Sequence, residues 1–149
     1  MNLSQSTNDA YPTAVKLALY KSNASLITKL TEMIETLKIK ADEFKLILKM
    51  GRTQLQDAVP MTLGQGFSAY ADTLEEEISR LNENANLFLE VNMGATAIGT
   101  GINAPKGYSR ACIQHLRDIT GFDIKLSQNL MEATQDTGAF VMYSSAVKR

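Results

Sequence analysis

Leu26-Ile-Thr-Lys-Leu30-Thr-Glu-Met33-Ile-Glu-Thr-Leu37-Lys-Ile-Lys-Ala41-Asp-Glu-Phe44-Lys-Leu-Ile-Leu48 carries the repeat from which the fold is read. Its apolar positions Leu26, Leu30, Met33, Leu37, Ala41, Phe44 and Leu48 fall four or three residues apart. That spacing belongs to a helix that packs lengthwise on another at a shallow angle. It predicts a helix of about 25 residues, longer than the globular average, ending at Met50-Gly51. Leu74, Ile78, Leu81, Ala85 and Phe88 repeat the pattern further on, in a helix of about 30 residues that is again unusually long. Two such helices predict an all-α fold, an elongated bundle of long antiparallel helices. They exceed what a chain of 149 residues ordinarily needs for its own core, so their seams are expected to serve neighbouring subunits as well.

Composition agrees. Hydrophobic residues make up 44% and charged residues 21% of the sequence, with 3 prolines and no tryptophan. These values fit a soluble, helix-rich globular domain. The net charge of −1 gives no attraction to nucleic acid or to an anionic membrane surface. Apolar runs such as Leu46-Ile47-Leu48 fall far short of the roughly 20 residues of a membrane span, and no secretory leader pattern opens the sequence. A single cysteine, Cys112, excludes an internal disulfide and points to a reducing cytoplasm.

The remaining elements follow from caps and breakers. A first helix is expected from Asn8 or Asp9 to about Tyr20, with Pro12 tolerated in its opening turn and Ser22-Asn23 interrupting or re-capping it. Thr62-Leu-Gly-Gln65 reads as a capping box opening the next long helix, on which Glu76 and Arg80 form an outward pair. Gly94-Ala-Thr-Ala-Ile-Gly-Thr-Gly-Ile-Asn103 is a small-residue breaker. A shorter amphipathic helix is expected from Ser109 to Thr120, stopped by Gly121, and residues 133–149 read as helical again.

Two polar passages carry the candidate chemistry. Ser4-Gln-Ser6-Thr7-Asn8-Asp9 lies at a helix start, where side-chain oxygens cap free amides. The same amides and the positive helix end also suit a bound carboxylate, and one residue can cap while its neighbour faces a ligand. Gly51-Arg52-Thr53-Gln54-Leu-Gln56-Asp57-Ala-Val59-Pro-Met-Thr-Leu-Gly-Gln65 joins the two long helices with more hydrogen-bonding side chains than a connector needs. Arg52, Gln56 and Asp57 read equally well as a rigid structural loop, with Arg52 paired to Asp57, or as ligand contacts. Thr53 and Gln54, adjacent and neutral, read better as ligand contacts. Other patterns carry less. Gly99-Thr-Gly-Ile-Asn-Ala104 matches a dinucleotide fingerprint only as a string, because that fingerprint needs a preceding strand and a helix opening through it. Cys112 and His115 stand one helical turn apart without the further ligands a metal needs. Ser144-Ser145 has no base at a meaningful spacing.

Taken together, Asn2-Leu-Ser-Gln-Ser-Thr-Asn-Asp-Ala-Tyr-Pro-Thr13, the Gly51–Gln65 segment and Gly94–Asn103 resemble the aspartase/fumarase superfamily, in order and interval, over essentially the whole chain. Within it the sequence is most similar to the aspartate ammonia-lyases. The resemblance implies a central domain of long helices, a homotetramer whose active sites each draw on three subunits, and reversible elimination of ammonia from L-aspartate to fumarate without an organic cofactor; no residue of the sequence is read as a metal ligand. It implies that Ser6 and Thr7 hold the side-chain carboxylate and its dianionic intermediate, that Asn8 helps bind the amino group, that Thr53 faces the other carboxylate and that Gln54 faces the amino end. Fumarases resemble the connector but usually have histidine at the place of Gln54 and threonine at that of Val59, which favours the ammonia-lyase over fumarate hydratase. Another lyase of the superfamily and a non-catalytic helical assembly module are the remaining alternatives.

The sequence also departs from the family. Its third signature, a Gly-Ser-Ser loop running into Met-Pro-x-Lys-x-Asn-Pro, is absent, since Ser144-Ser145 continues as Ala-Val-Lys-Arg. The catalytic base serine is therefore expected outside these residues. The expectation is a single helical-bundle domain over 1–149, a section of the central domain without the amino-terminal region or the signature loop, and inactive by itself.

Overall fold

The computed structural model describes residues 3–149; Asn2, where the family-like stretch begins, lies outside the described residues. Its first helix, α1, runs unbroken through 34 residues, Ala10–Glu43. The interruption expected at Ser22-Asn23 does not occur, and the reason is tertiary. Asparagine disfavours helix interiors because its side chain competes for nearby backbone groups. Here Asn23 is buried, its amide donates to Asn82 Oδ1 at 2.9 Å, and its carbonyl accepts from the Tyr143 hydroxyl at 3.1 Å. With both ends engaged by other elements, nothing remains to break the helix.

At its other end α1 stops at Glu43, short of the expected Met50-Gly51. Leu48–Thr53 forms strand β1 and Gln56–Thr62 forms β2, paired antiparallel. Helix α2, Leu63–Asn86, has 24 residues. The capping box is formed reciprocally: Thr62 N–H donates to Gln65 Oε1 at 2.9 Å and Gln65 N–H to Thr62 Oγ1 at 3.1 Å. Phe88 belongs to a 3-10 turn, Leu87–Leu89, and not to α2. The chain continues through β3 (Glu90–Val91), α3 (Tyr108–Thr120), β4 (Lys125–Leu126), α4 (Leu130–Gln135) and α5 (Gly138–Lys148). The break between α4 and α5, unexpected within 133–149, falls at Asp136, whose extended backbone and carboxylate (accepting Gly138 N–H at 2.9 Å) restart the chain. No described helix is long and apolar enough to cross a membrane.

The chain divides into two compact units, one made of the residues up to Ala24 with Leu81–Arg149, the other of Ser25–Arg80. In the second unit α1 and α2 run antiparallel: Phe44 stacks near Phe67 with ring centroids 5.5 Å apart, and Lys38 pairs with Glu75 at 2.9 Å. The seam differs from the expectation at two positions: Ile34 is buried at 4% exposure while Met33 is 52% exposed, and Leu48, 77% exposed, lies on β1 beyond the helix. Gly64 permits the close approach, because a Cβ there would lie 2.3 Å from the Ala41 carbonyl oxygen. Glu76 pairs with Arg80 at 3.4 Å as expected, but the same guanidinium also binds the buried Glu77.

In the first unit β3 and β4 pair in parallel, and Val91, Met93, Ile113 and Ile124 form the core with Ala10, Leu17 and Leu116 packed against it. Helix α3 ends as expected: Gly121, at φ 72°, turns its N–H back to the Arg117 carbonyl at 2.8 Å. The Gly94–Asn103 stretch is a tightly folded loop. Gly99 has φ +100°, and a Cβ on it would lie 2.3 Å from Met131 Cα. The fingerprint string is preceded by a strand of 2 residues, yet no helix opens before Tyr108, so it does not form a dinucleotide cradle.

Backbone contact and backbone angle can be separated by two glycines. Gly99→Ala is expected to cost about 3 kcal/mol or more, since strain and backbone overlap add. Gly107, at φ +87° with nothing near its Cβ position, should lose only about 1–2 kcal/mol as alanine. Urea unfolding midpoints of the two variants measure this, and equal losses would count against the packing role of Gly99.

Candidate functional site

The amino-terminal segment is built around Asp9. Its carboxylate is fully buried, with 0% exposure. Oδ1 accepts the N–H groups of Ser6 at 2.8 Å and Ala10 at 2.6 Å, and Oδ2 accepts those of Gly94 at 3.2 Å and Thr96 at 2.9 Å. A buried carboxylate needs such donors, because its lost hydration must be replaced. The cap of α1 is therefore Asp9 together with the Ser6 carbonyl, which accepts Ala10 N–H at 3.0 Å. Ser6, Thr7 and Asn8 are released from capping the helix.

Ser6 and Asn8 are each fixed in a different way. The Ser6 hydroxyl accepts Asn8 N–H at 3.1 Å. The Asn8 carbonyl receives the Asn92 amide at 2.9 Å, and the Asn8 side-chain amide donates to the Ala97 carbonyl at 2.6 Å. Only the NH2 end of an amide can face a carbonyl oxygen, so this bond leaves Asn8 Oδ1 as the outward atom. Thr7 is exposed, and a cleft of about 280 Å³ is lined by Gln5, Ser6, Thr7, Ala10 and Tyr11. The segment thus offers neutral hydroxyls and one oriented amide oxygen on a backbone tied to Gly94–Ala97.

Thr53 and Gln54 sit in the second unit, at the tip of a β-hairpin instead of in the irregular connector the sequence suggested. Thr53 pairs with Gln56, and Gln54 and Leu55 form the two-residue turn between them, both left-handed at φ 47° and φ 63°. That turn class favours Asn-Gly, which is why Gln-Leu gave no hairpin signal. Arg52 Nε meets Asp57 Oδ1 at 3.0 Å across the strands, so the structural reading of that pair holds. Both Thr53 and Gln54 are exposed, and among the described residues neither side chain takes a hydrogen bond within the chain.

The candidates thus fall into two sets, Ser6, Thr7 and Asn8 in one unit and Thr53 and Gln54 in the other. Sequence reading passed over Asp9, Asn92 and Thr96 as site-builders. Asp9 had been noted only as a helix start, and its partners lie 85 and 87 residues away, beyond any local pattern. Cys112 packs against the core cluster, and among the described residues no group of His, Cys, Asp or Glu is assembled to hold a metal. Lys16 is turned to structure, donating to the Glu90 carbonyl at 2.8 Å, with burial drawing its pKa down against the pull of Glu90, Asp136 and Glu132.

This arrangement can be set beside known proteins. The whole sequence, residues 1–149, matches a protein family described as Lyase. The chain belongs to that lyase family. It is 52% identical over 149 residues to the aspartate ammonia-lyase of Escherichia coli (strain K12), an alignment that takes in 100% of this chain and 31% of that enzyme. It therefore spans about a third of the length of the curated relatives it matches. Among solved structures, a fumarate lyase:delta crystallin from Brucella melitensis bound to cobalt superimposes with a TM-score of 0.91 at 53% identity, over 99% of this chain and 32% of that one. The class II fumarase of Schistosoma mansoni follows at a TM-score of 0.79 and 32% identity, over 97% of this chain and 34% of that one. The long-helix reading of the sequence is thus the fold of this lyase family.

The hairpin tip gives a stability test. Leu55 is fully exposed and left-handed, so Leu55→Gly should raise stability by about 0.5–1 kcal/mol, relief of strain exceeding the added freedom of glycine in the unfolded chain. Urea unfolding decides it; a loss of stability would mean that the leucine side chain is held in place.

Proposed function

We propose that this lyase eliminates ammonia from L-aspartate to give fumarate, reversibly and without an organic cofactor. The observation that carries the reading is the 52% identity to the Escherichia coli aspartate ammonia-lyase over the full 149 residues, against 32% to the class II fumarase. Gln54 and Val59 at the connector, where the fumarases usually carry histidine and threonine, favour the same choice. We further propose that these residues are a section of a longer central domain, working in the cytoplasm as a homotetramer whose sites combine neighbouring subunits.

Ser6 and Thr7 then hold the side-chain carboxylate, Thr53 the other carboxylate, and Gln54 the amino end. Asn8 Oδ1, left outward by the bond to the Ala97 carbonyl, accepts from the ammonium group. Elimination begins with loss of a proton from the carbon beside the side-chain carboxylate, and the charge left behind collects on that carboxylate as an aci-carboxylate. Neutral donors suit this step. They bind the substrate moderately and the more highly charged intermediate more strongly, which is the difference that accelerates a reaction. No residue of this chain is assigned as the base; that serine is expected on the Gly-Ser-Ser loop that the 149 residues do not contain.

The test uses the gene product that includes such a loop, with fumarate release from L-aspartate followed by ultraviolet absorbance and L-malate assayed in parallel. Ser6→Ala and Thr53→Ala should each lower kcat/KM for L-aspartate by about a hundredfold, and the 149 residues alone should release no fumarate. Turnover of L-malate but not L-aspartate would move the assignment to a fumarate hydratase. Unchanged kinetics in both variants would leave the two polar passages structural.

A further inference from the structure

We infer that Asp9 is a positioning residue for the substrate-binding segment, acting through Ser6 on one side and through the Gly94–Ala97 loop on the other. This rests on the ammonia-lyase reading and adds a residue to it. The geometry is that of a bridge. One oxygen of Asp9 holds Ser6 N–H at 2.8 Å, beside the hydroxyl assigned to the carboxylate. The other holds Gly94 N–H at 3.2 Å and Thr96 N–H at 2.9 Å. Those two amides belong to the turn that carries the Ala97 carbonyl, which orients Asn8 through its 2.6 Å bond. A single buried group therefore sets the hydroxyl and the amide oxygen relative to each other.

The loop is shaped to reach it. Gly94 has φ +91°, and a Cβ there would lie 2.0 Å from Ser109 Oγ. Thr96 takes the left-handed conformation at φ 58°, unusual for a β-branched residue. Both conformations turn amides inward onto the carboxylate, and strain of this sort persists only where surrounding contacts over-determine it. Asn92 adds a second tie, from its side-chain amide to the Asn8 carbonyl at 2.9 Å. Asn92 spends its side-chain amide on Asn8 and on the Thr134 hydroxyl and reaches the loop only through its backbone carbonyl, whereas the Asp9 carboxylate itself bonds both Ser6 and the loop.

An amide at this position would set its NH2 group against at least one pair of N–H donors, because only one end of it accepts. In the active gene product, Asp9→Asn is expected to lower kcat/KM for L-aspartate by about a hundredfold, the scale of a misplacement near 1 Å. Hydrogen exchange at the Ser6, Gly94 and Thr96 amides should speed up together. Asn23→Ala is the control: it breaks the Asn23–Asn82–Tyr143 chain in the same unit and costs stability without touching the segment, so its kcat/KM should stay within about threefold of native. Equal kinetic losses in the two variants would reduce Asp9 to a purely structural role and overturn the inference.

Should Asp9→Asn fail to fold, the native protein still decides. Saturating fumarate should slow exchange together at Ser6, Gly94 and Thr96, whose amides converge on the Asp9 carboxylate; no change at Gly94 and Thr96 overturns the inference. A native protein that binds neither L-aspartate nor fumarate would sink the ammonia-lyase reading instead. The bridge itself would then stand or fall on whether the Ser6, Gly94 and Thr96 amides of the native protein exchange at a common rate, as groups released by one opening do.

Discussion

A fully buried carboxylate is a demanding thing to fold around. Asp9 cannot leave water unless donors replace its hydration, and the first turn of its own helix supplies only part of them. The remainder come from the amides of Gly94 and Thr96, far along the sequence. The start of α1 and the small-residue loop are therefore one object energetically. Neither the position of Ser6 nor the course of the loop is set until both are in place. The core of Val91, Met93, Ile113 and Ile124 packs beside this junction, with Ala10, the first residue of α1, against it. Apolar burial holds the two segments near each other, and the carboxylate fixes their register.

Small residues at points of contact do related work elsewhere. Gly64 lets α2 approach the Ala41 carbonyl, and Gly99 lets its loop lie on the backbone at Met131. Ala71, Ala85 and Ala95, all essentially without exposed surface, act in the same sense. A larger side chain at such a place moves backbone, not merely another side chain, because close-packed interiors offer no room to absorb it. The glycine-rich stretch is accordingly packed against neighbouring groups at Gly94 and Gly99.

What could be read from sequence was what depends on near neighbours. The capping box at Thr62 and Gln65, the end of α3 at Gly121 and the outward Glu76–Arg80 pair are all decided within four residues, and all were legible. Most of the seam was legible: Ile34 takes the place of Met33, since a drifting helix period blurs which neighbour faces inward, and Leu48 falls on β1 because the helix ends before it. The failures have a common cause. Asn23 looked like a break because its partners, Asn82 and Tyr143, were invisible. The hairpin was missed because Gln54-Leu55 is a poor turn sequence and Pro60 lies within a strand. In the site, Ser6, Thr7 and Asn8 stood out as a polar string. Asp9, which organises them, looked like a routine cap.

The two halves of the proposed site solve opposite problems. Ser6 and Asn8 are held by hydrogen bonds to Asp9, Asn92 and Ala97, so the Ser6 hydroxyl and the Asn8 amide are set before any ligand arrives. Thr53 and Gln54 stand on an exposed hairpin, and among the described residues their side chains have no hydrogen-bond partner. What fixes them is the backbone: pairing from Leu48↔Thr62 to Thr53↔Gln56 and a turn held at two left-handed residues. Such a turn is strained for Gln and Leu and is kept because the ladder on both sides admits little else. Both devices leave neutral polar groups with unspent hydrogen-bonding capacity in defined places. In the proposed elimination, donors already fixed in place strengthen their bonds as negative charge collects on the carboxylate and need no reorganisation at that moment.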